Sequence, residues 1–155
     1  MHKKTLLLTT VMLLTLLLTA CGKDPQVTQF KQDIDNFCSD ISAIDTVMNT
    51  IDATSDYARE ELLGYLDDLD KHFLEFADLD FPKDFDYLEP LADEASKYMT
   101  EAVTYYHKAY AEAEKYDETH AAYATENYSR AWKRIQIIIS FLHGEEPEDV
   151  IWETE

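Results

Sequence analysis

Apolar side chains recur every three or four residues along most of the chain, which is the spacing of one face of an α-helix. The first series follows Asp24 and Pro25, a capping residue and a first-turn proline that favour a helix start. Its apolar positions are Val27, Phe30, Ile34, Phe37, Ile41, Ile44, Met48 and Ile51. Because the positions between them are polar, the pattern predicts a first helix.

A second series follows residues 52–56, which are rich in capping residues. Its apolar positions are Leu62, Leu66, Leu69, Phe73 and Phe76. This series predicts a second helix. Pro82 then interrupts the helical pattern. We interpret Leu79, Phe81 and Phe85, which flank it, as side chains that close one end of the folded domain.

The third series alternates small and aromatic residues, so that a neighbouring helix can approach at each alanine. It comprises Leu88, Leu91, Ala95, Tyr98, Ala102, Tyr105, Ala109 and Tyr116. Its start has two interpretations: Asp86 and Glu89 have capping-box spacing, or Glu89 is the cap and Pro90 takes the first turn.

The fourth series ends at His143 and Gly144, a favourable helix C-terminus. It comprises Ala121, Ala124, Tyr128, Ala131, Ile135, Ile138 and Leu142. Because its register differs from that of the third series, we expect a tight turn near residues 117–119. No Gly or Pro enforces that turn, so one long helix over 87–142 is the alternative.

These four segments predict an all-α fold, an antiparallel four-helix bundle, and the alternative is a three-helix bundle with a long third helix. The predicted organisation is a cleaved signal peptide at 1–20, a tether at 21–26, a bundle domain at 27–143 and an acidic tail at 144–155. We expect Val150, Ile151 and Trp152 to pin that tail.

The signal peptide is indicated by Lys3 and Lys4, an uncharged apolar run at 5–18, and Ala20 before Cys21. The run is shorter than the roughly 20 apolar residues of a membrane-spanning helix. Residues 18–21, Leu-Thr-Ala-Cys, resemble the lipobox of bacterial lipoproteins. The resemblance implies cleavage after Ala20, acylation of the Cys21 sulfur, and a mature protein that is attached to the membrane outside the cytoplasm. The alternative is a secreted protein with an incidental Cys21.

Charge excludes one class of partner. The chain carries 13 basic and 32 acidic residues, and removal of Lys3 and Lys4 changes its formal charge from -19 to -21. Nucleic acid phosphates and anionic lipid headgroups repel such a chain, so a lipid rather than a basic patch must provide the anchor. Acylation of Cys21 leaves Cys38 as the one free thiol, which we expect in the core or at its boundary.

Catalytic motifs are missing from the sequence. A di-iron site in a four-helix bundle requires Glu-x-x-His on two helices, and Leu69, Thr104 and Ser140 stand three residues before His72, His107 and His143. No Gly-x-Ser-x-Gly, His-Glu-x-x-His or phosphate-binding glycine loop occurs. We therefore predict no enzymatic activity and no cofactor.

An acidic stretch has part of the spacing of an EF-hand calcium loop. Its carboxylates are Asp78, Asp80, Asp84, Asp86 and Glu89. Pro82 occupies a ligand position, and Lys83 replaces the glycine of the sharp turn. A divalent-cation or small-ligand site in this loop is one hypothesis, and a solvated acidic loop is the other.

Two groups of side chains are candidates for an interaction surface. The end of the fourth helix is apolar on nearly every face, so that either this chain or another must cover Ile137, Ile139 and Phe141. Tyr106 and Tyr110 lie outside the apolar series, either as contacts for a protein or a sugar or as boundary tyrosines with hydrated hydroxyls. The sequence thus predicts a lipid-anchored, non-catalytic interaction or structural module with an unidentified protein partner at the cell surface, and a cation-binding or small-ligand-binding lipoprotein is the alternative.

Overall fold

The computed structural model describes residues 24–112 and 115–145. These residues form four α-helices and no strand: α1 Pro25–Met48, α2 Ala58–Ala77, α3 Glu89–Ala109 and α4 Glu118–Leu142. A short 3-10 turn, Asp86–Leu88, leads into α3. The all-α prediction is confirmed. The long-helix alternative is wrong, because α3 ends at Ala109 and α4 begins only at Glu118.

Consecutive helices run in opposite directions. Arg59, at the start of α2, donates from Nη1 to the carbonyl oxygen of Tyr110, just after α3, at 3.3 Å. Glu94, near the start of α3, accepts a hydrogen bond of 2.6 Å from Arg134, late in α4. The bundle therefore has a near end, where α1 begins and α4 ends, and a far end, where α1 and α3 end.

Carboxylate caps fix the beginnings of the first and last helices. Asp24 accepts from the Gln26 N–H at 2.9 Å, as the Asp-Pro pair predicts. Asp117 accepts from the N–H groups of Thr119 and His120, each at 3.0 Å. At the other end of α4, Gly144 has a φ of 74°, which a glycine adopts without strain.

The two middle helices begin without a side-chain cap. Tyr57 and Leu88 occupy their N-cap positions and make no such bond. Neither predicted start of α3, with Asp86 or with Glu89 as the cap, is therefore correct. The 3-10 turn continues directly into the helix instead, and its own hydrogen bonds set the entry.

Aromatic rings pack α1 against α2. Phe37 stacks on Phe76, with 4.3 Å between ring centroids, and contacts Phe73 edge-on at 5.4 Å. Phe73 is fully buried and also contacts Trp132 of α4 at 5.8 Å. This ring-packed half joins the first two helices to the core of the last two.

Alanines line the contact between α3 and α4. The buried ones are Ala92, Ala95, Ala102, Ala109, Ala121, Ala124 and Ala131. Side chains this small let the two backbones approach closely, as the third series predicts. Met99 and Val103 occupy the interior of α3 where tyrosines were expected, and Tyr98 and Tyr105 are only half-buried. The core position predicted for Tyr116 is wrong, because that side chain is 51% exposed.

The connection between α2 and α3 closes the near end. Phe81 and Pro82 are buried, and Leu79 and Phe85 pack against the core. The Phe81 ring lies 4.7 Å from that of Phe30 in α1. The prediction that these apolar side chains close one end of the bundle is confirmed.

Candidate functional site

The predicted lipidation site lies outside the described residues. Ala20 and Cys21 belong to the undescribed stretch 1–23, and Val150, Ile151 and Trp152 belong to the undescribed stretch 146–155. What the structure adds is the position of the tether: Asp24 begins α1 at the near end of the bundle. Any anchor at residue 21 must therefore hold the molecule by that end.

The five carboxylates of the predicted cation loop point into solvent. All of them are exposed: Asp78, Asp80, Asp84, Asp86 and Glu89. The backbone of this connection winds around the buried Phe81 and Pro82, so the acidic side chains are left on its outside. Within the described part of the chain, no three His, Cys, Asp or Glu side chains come close enough to hold a metal ion.

The apolar end of α4 is mostly covered by its own chain. Ile137 is only 6% exposed and belongs to the core, so this chain, rather than another, covers it. Ile139 and Phe141 are half-buried, and the Tyr87 ring stands edge-on to that of Phe141 at 5.9 Å. Tyr87, in the connection that closes the near end, thus covers part of Phe141.

The two candidate tyrosines lie towards the far end and are half-buried. Tyr106 places its hydroxyl 3.4 Å from that of Thr125 across the α3–α4 contact. Tyr110 follows α3, and its ring lies 5.0 Å from that of Tyr116. Burial, together with the neighbouring Tyr116, raises the pKa of Tyr110 above its ordinary value. The five predicted interaction residues therefore divide between the two ends of the bundle and do not form one surface.

A cleft of about 520 Å³ opens at the far end beside Tyr110. Its apolar lining comes from the end of α1, the following connection and the first turns of α2, chiefly Met48, Ile51 and Leu62. Arg59 and Asp56 supply charge to the same cleft. This volume lies within the roughly 300–1,000 Å³ typical of ligand pockets.

Three exposed apolar or aromatic side chains adjoin residues of that cleft: Val47 precedes Met48, Tyr57 lies between Asp56 and Ala58, and the Tyr116 ring contacts that of Tyr110. Tyr57 is 67% exposed, Tyr116 51% and Val47 40%. No sequence pattern indicated Val47 or Tyr57, and the third series placed Tyr116 in the core. We call Val47, Tyr57, Tyr110 and Tyr116, together with the cleft, the far-end patch. Such a cluster is the kind of surface that protein partners bind.

A second depression, the α1–α4 groove, has a volume of about 430 Å³. Its lining includes Cys38 and Ile41 of α1 and Tyr128, Trp132 and Ile139 of α4. The Cys38 thiol is half-buried, as expected for a boundary residue, and burial raises its pKa, helped by the nearby Asp35 carboxylate. A raised pKa disfavours the reactive thiolate, so Cys38 is not set up as a nucleophile.

Histidines and carboxylates pair across helices on the surface. His107 of α3 lies 2.7 Å from Asp67 of α2, and His72 of α2 lies 4.0 Å from Asp40 of α1. Their side chains are partly solvated, and each links two neighbouring helices. We interpret these pairs as polar ties between helices.

Comparison of the chain with family models, curated proteins and solved structures gives no match in any of the three. Among the described residues, none of the helices has the length and apolarity needed to cross a membrane.

Proposed function

We propose that this protein is a lipid-anchored, extracytoplasmic, non-catalytic interaction module that presents its far-end patch to a protein partner. The observation that carries the proposal is the exposure of Val47, Tyr57 and Tyr116 around one cleft, at the end of the bundle opposite the start of α1.

The geometry supports this arrangement. Lipid on Cys21 would hold the near end at the membrane, because only residues 22 and 23 separate that cysteine from Asp24. The 24 residues of α1 span about 36 Å at 1.5 Å per residue, so the far-end patch would lie that far from the anchor. The net charge of the chain also helps to hold the domain off the membrane, since it repels the domain from anionic headgroups.

The anchor is tested by metabolic labelling with an alkyne-tagged fatty acid. We expect label on the wild-type chain and on Cys38→Ser, and none on Cys21→Ser. Label that persists on Cys21→Ser, or an unlabelled wild-type chain that keeps its leader, would contradict lipidation.

The far-end patch is tested by photo-crosslinking in intact cell envelopes. A photoreactive phenylalanine analogue replaces Tyr57 or Tyr116 at the far end, and Tyr87 at the near end serves as a matched control because it is 52% exposed. We expect the same discrete adduct from both far-end positions and not from Tyr87. Adducts from Tyr87 alone, or from none of the three, would refute the far end as the interaction surface.

A further inference from the structure

The α1–α4 groove is an apolar surface that the described residues leave open. Trp132 and Ile139 are half-buried on its α4 side, and the buried Ile41 forms part of the α1 side. Asp45 is the one acidic residue in its lining. Apolar side chains of both helices therefore line a depression with room for further apolar side chains.

The described chain ends beside this groove. After α4, the Gly144 N–H donates to the Phe141 carbonyl at 3.0 Å, and the Glu145 N–H donates to the Ser140 carbonyl at 2.9 Å. These two bonds form a Schellman turn, so the chain leaves the helix axis at Glu145. Ser140 is the immediate neighbour of Ile139, which lines the groove.

We propose that the C-terminal segment 146–155 docks in the α1–α4 groove through Val150, Ile151 and Trp152. The stretch of α4 from Tyr128 to Ile139 is about 16 Å long at 1.5 Å per residue. An extended chain covers about 3.3 Å per residue, so Val150 can reach about 17 Å from Glu145 and Trp152 about 23 Å. Ile139 lies about 9 Å and Trp132 about 20 Å from Glu145 along the helix. The apolar trio thus reaches both of these groove residues, and it is the one apolar cluster in that segment.

Apolar contact must drive this docking, because charge opposes it. The segment carries Glu146, Glu148, Asp149, Glu153 and Glu155. These repel Asp45 and the acidic chain as a whole. Salt screens that repulsion and leaves apolar burial intact, so docking should strengthen as ionic strength rises. Docking through ion pairs would weaken instead.

The reactivity of the Cys38 thiol shows whether the groove is occupied, because Cys38 lines the groove. All the buried residues within 24–112 and 115–145 lie between Phe30 and Ile138. A chain that begins at residue 21 and carries Cys21→Ser therefore keeps them all and has Cys38 as its one thiol. The measurement is the alkylation rate of Cys38 by iodoacetamide, a neutral reagent that the acidic chain does not repel. Ile151→Asp removes an apolar contact, and Thr154→Asp is the matched control that adds the same charge in the same segment.

We expect Ile151→Asp to accelerate alkylation about tenfold at constant pH, while Thr154→Asp stays at the wild-type rate. Added salt should slow alkylation of the wild-type chain and leave Ile151→Asp unchanged. Equal rates for all three chains would overturn the proposal. Protection that rises with protein concentration would also overturn it, because it identifies a second copy as the occupant.

A spectroscopic readout makes the test independent of thiol chemistry. In Trp132→Phe, Trp152 is the remaining tryptophan, and we expect its fluorescence emission to be blue-shifted relative to the same chain with Ile151→Asp. Emission at the wavelength of a fully hydrated indole in both chains would overturn the docking.

Discussion

The α3–α4 contact and the α1–α2 contact solve the same packing problem with opposite side chains. Alanines such as Ala95, Ala102 and Ala124 let the backbones of α3 and α4 lie close, with no room for larger groups. Stacked rings such as Phe37 on Phe76 hold α1 and α2 together. The alanines of the small-residue interface are buried, whereas a groove remains between α1 and α4. The groove beside α1 is therefore a surface that can bind another group.

Removal of the Phe73 ring, which joins the two halves of the bundle, should produce the largest loss of stability. Phe73 is fully buried and contacts both Phe37 of α1 and Trp132 of α4. We expect Phe73→Ala to lower the free energy of unfolding by about 3–5 kcal/mol in urea titrations, because it leaves a cavity where the halves meet. The exposed neighbour Leu74 is the control, and Leu74→Ala should change stability by about 0.5 kcal/mol or less.

The second-largest loss of stability should come from enlarging a side chain at the alanine contact. Ala124→Leu inserts three heavy atoms where α3 and α4 touch, and we expect it to lower the free energy of unfolding by about 1–3 kcal/mol. Ala122→Leu, on the exposed face of the same helix, should leave it within about 0.5 kcal/mol. Equal effects at the two positions would mean that the contact is not closely packed.

Loss of the cap on α4 should give a smaller effect that depends on pH. The backbone hydrogen bond from His120 lowers the pKa of Asp117 below its usual value of 3.8. The folded state therefore binds this proton less readily than the unfolded state, so the charged cap stabilises the fold above pH 3.8 and the benefit is lost as the pH falls further. Asp117→Ala should lower the melting temperature at pH 7, and the deficit should narrow near pH 3.

Asp117→Asn is the control for that measurement. It keeps an acceptor oxygen for the Thr119 and His120 N–H groups, so it should lose less than the alanine variant at pH 7. An alanine variant with an unchanged melting temperature at pH 7 would contradict the assigned cap.

We expect the smallest change in melting temperature from a substitution at Asp70, whose side chain lies between α2 and α3. Partial burial raises the pKa of Asp70 above 3.8, the Asp67 charge adds to the rise, and the 2.7 Å hydrogen bond from Thr100 opposes it. A raised pKa means that the fold disfavours the ionised form, so this carboxyl costs stability as the pH rises through the folded-state pKa. Asp70→Asn should raise the melting temperature slightly at pH 7 and not at pH 3.

Asp70→Asn also removes one negative charge from an acidic chain. The resulting decrease in charge repulsion must be separated from the local effect of burial at Asp70. Asp68→Asn removes the same charge from an exposed position two residues away. We expect Asp70→Asn to exceed it at pH 7. Equal shifts would show that net charge, rather than burial at Asp70, is the cause.

Local patterns predicted the helices, the alanine contact and the near-end closure. Spacing alone locates α1, because its apolar positions run unbroken between polar ones, and Asp24 followed by Pro25 marks its start. The end of α3 was misplaced. Tyr116 continues the heptad spacing, and no Gly or Pro marks the turn, which the 3.0 Å bond from the Asp117 N–H to the Ala109 carbonyl closes.

Contacts between residues that lie far apart in the chain could not be predicted from the sequence. Burial of Ile137 depends on chain segments far from it in sequence, and no local pattern reveals how completely they cover it. The far-end patch has the same origin: Val47 and Tyr57 lie at the same end of the bundle because α1 ends where α2 begins. The acidic loop shows the converse, since ligand-like spacing in sequence did not produce convergent carboxylates.

The alanine contact also determines at which positions the residue type can change during evolution. Growth of a side chain at Ala95, Ala102 or Ala131 would push two backbones apart, so related chains should keep small residues there whatever else they change. The phenylalanine half can exchange one ring for a leucine or methionine of similar volume by local repacking. We therefore expect sequence divergence to concentrate in α1 and α2, and the α3–α4 hairpin to remain the recognisable signature of this fold.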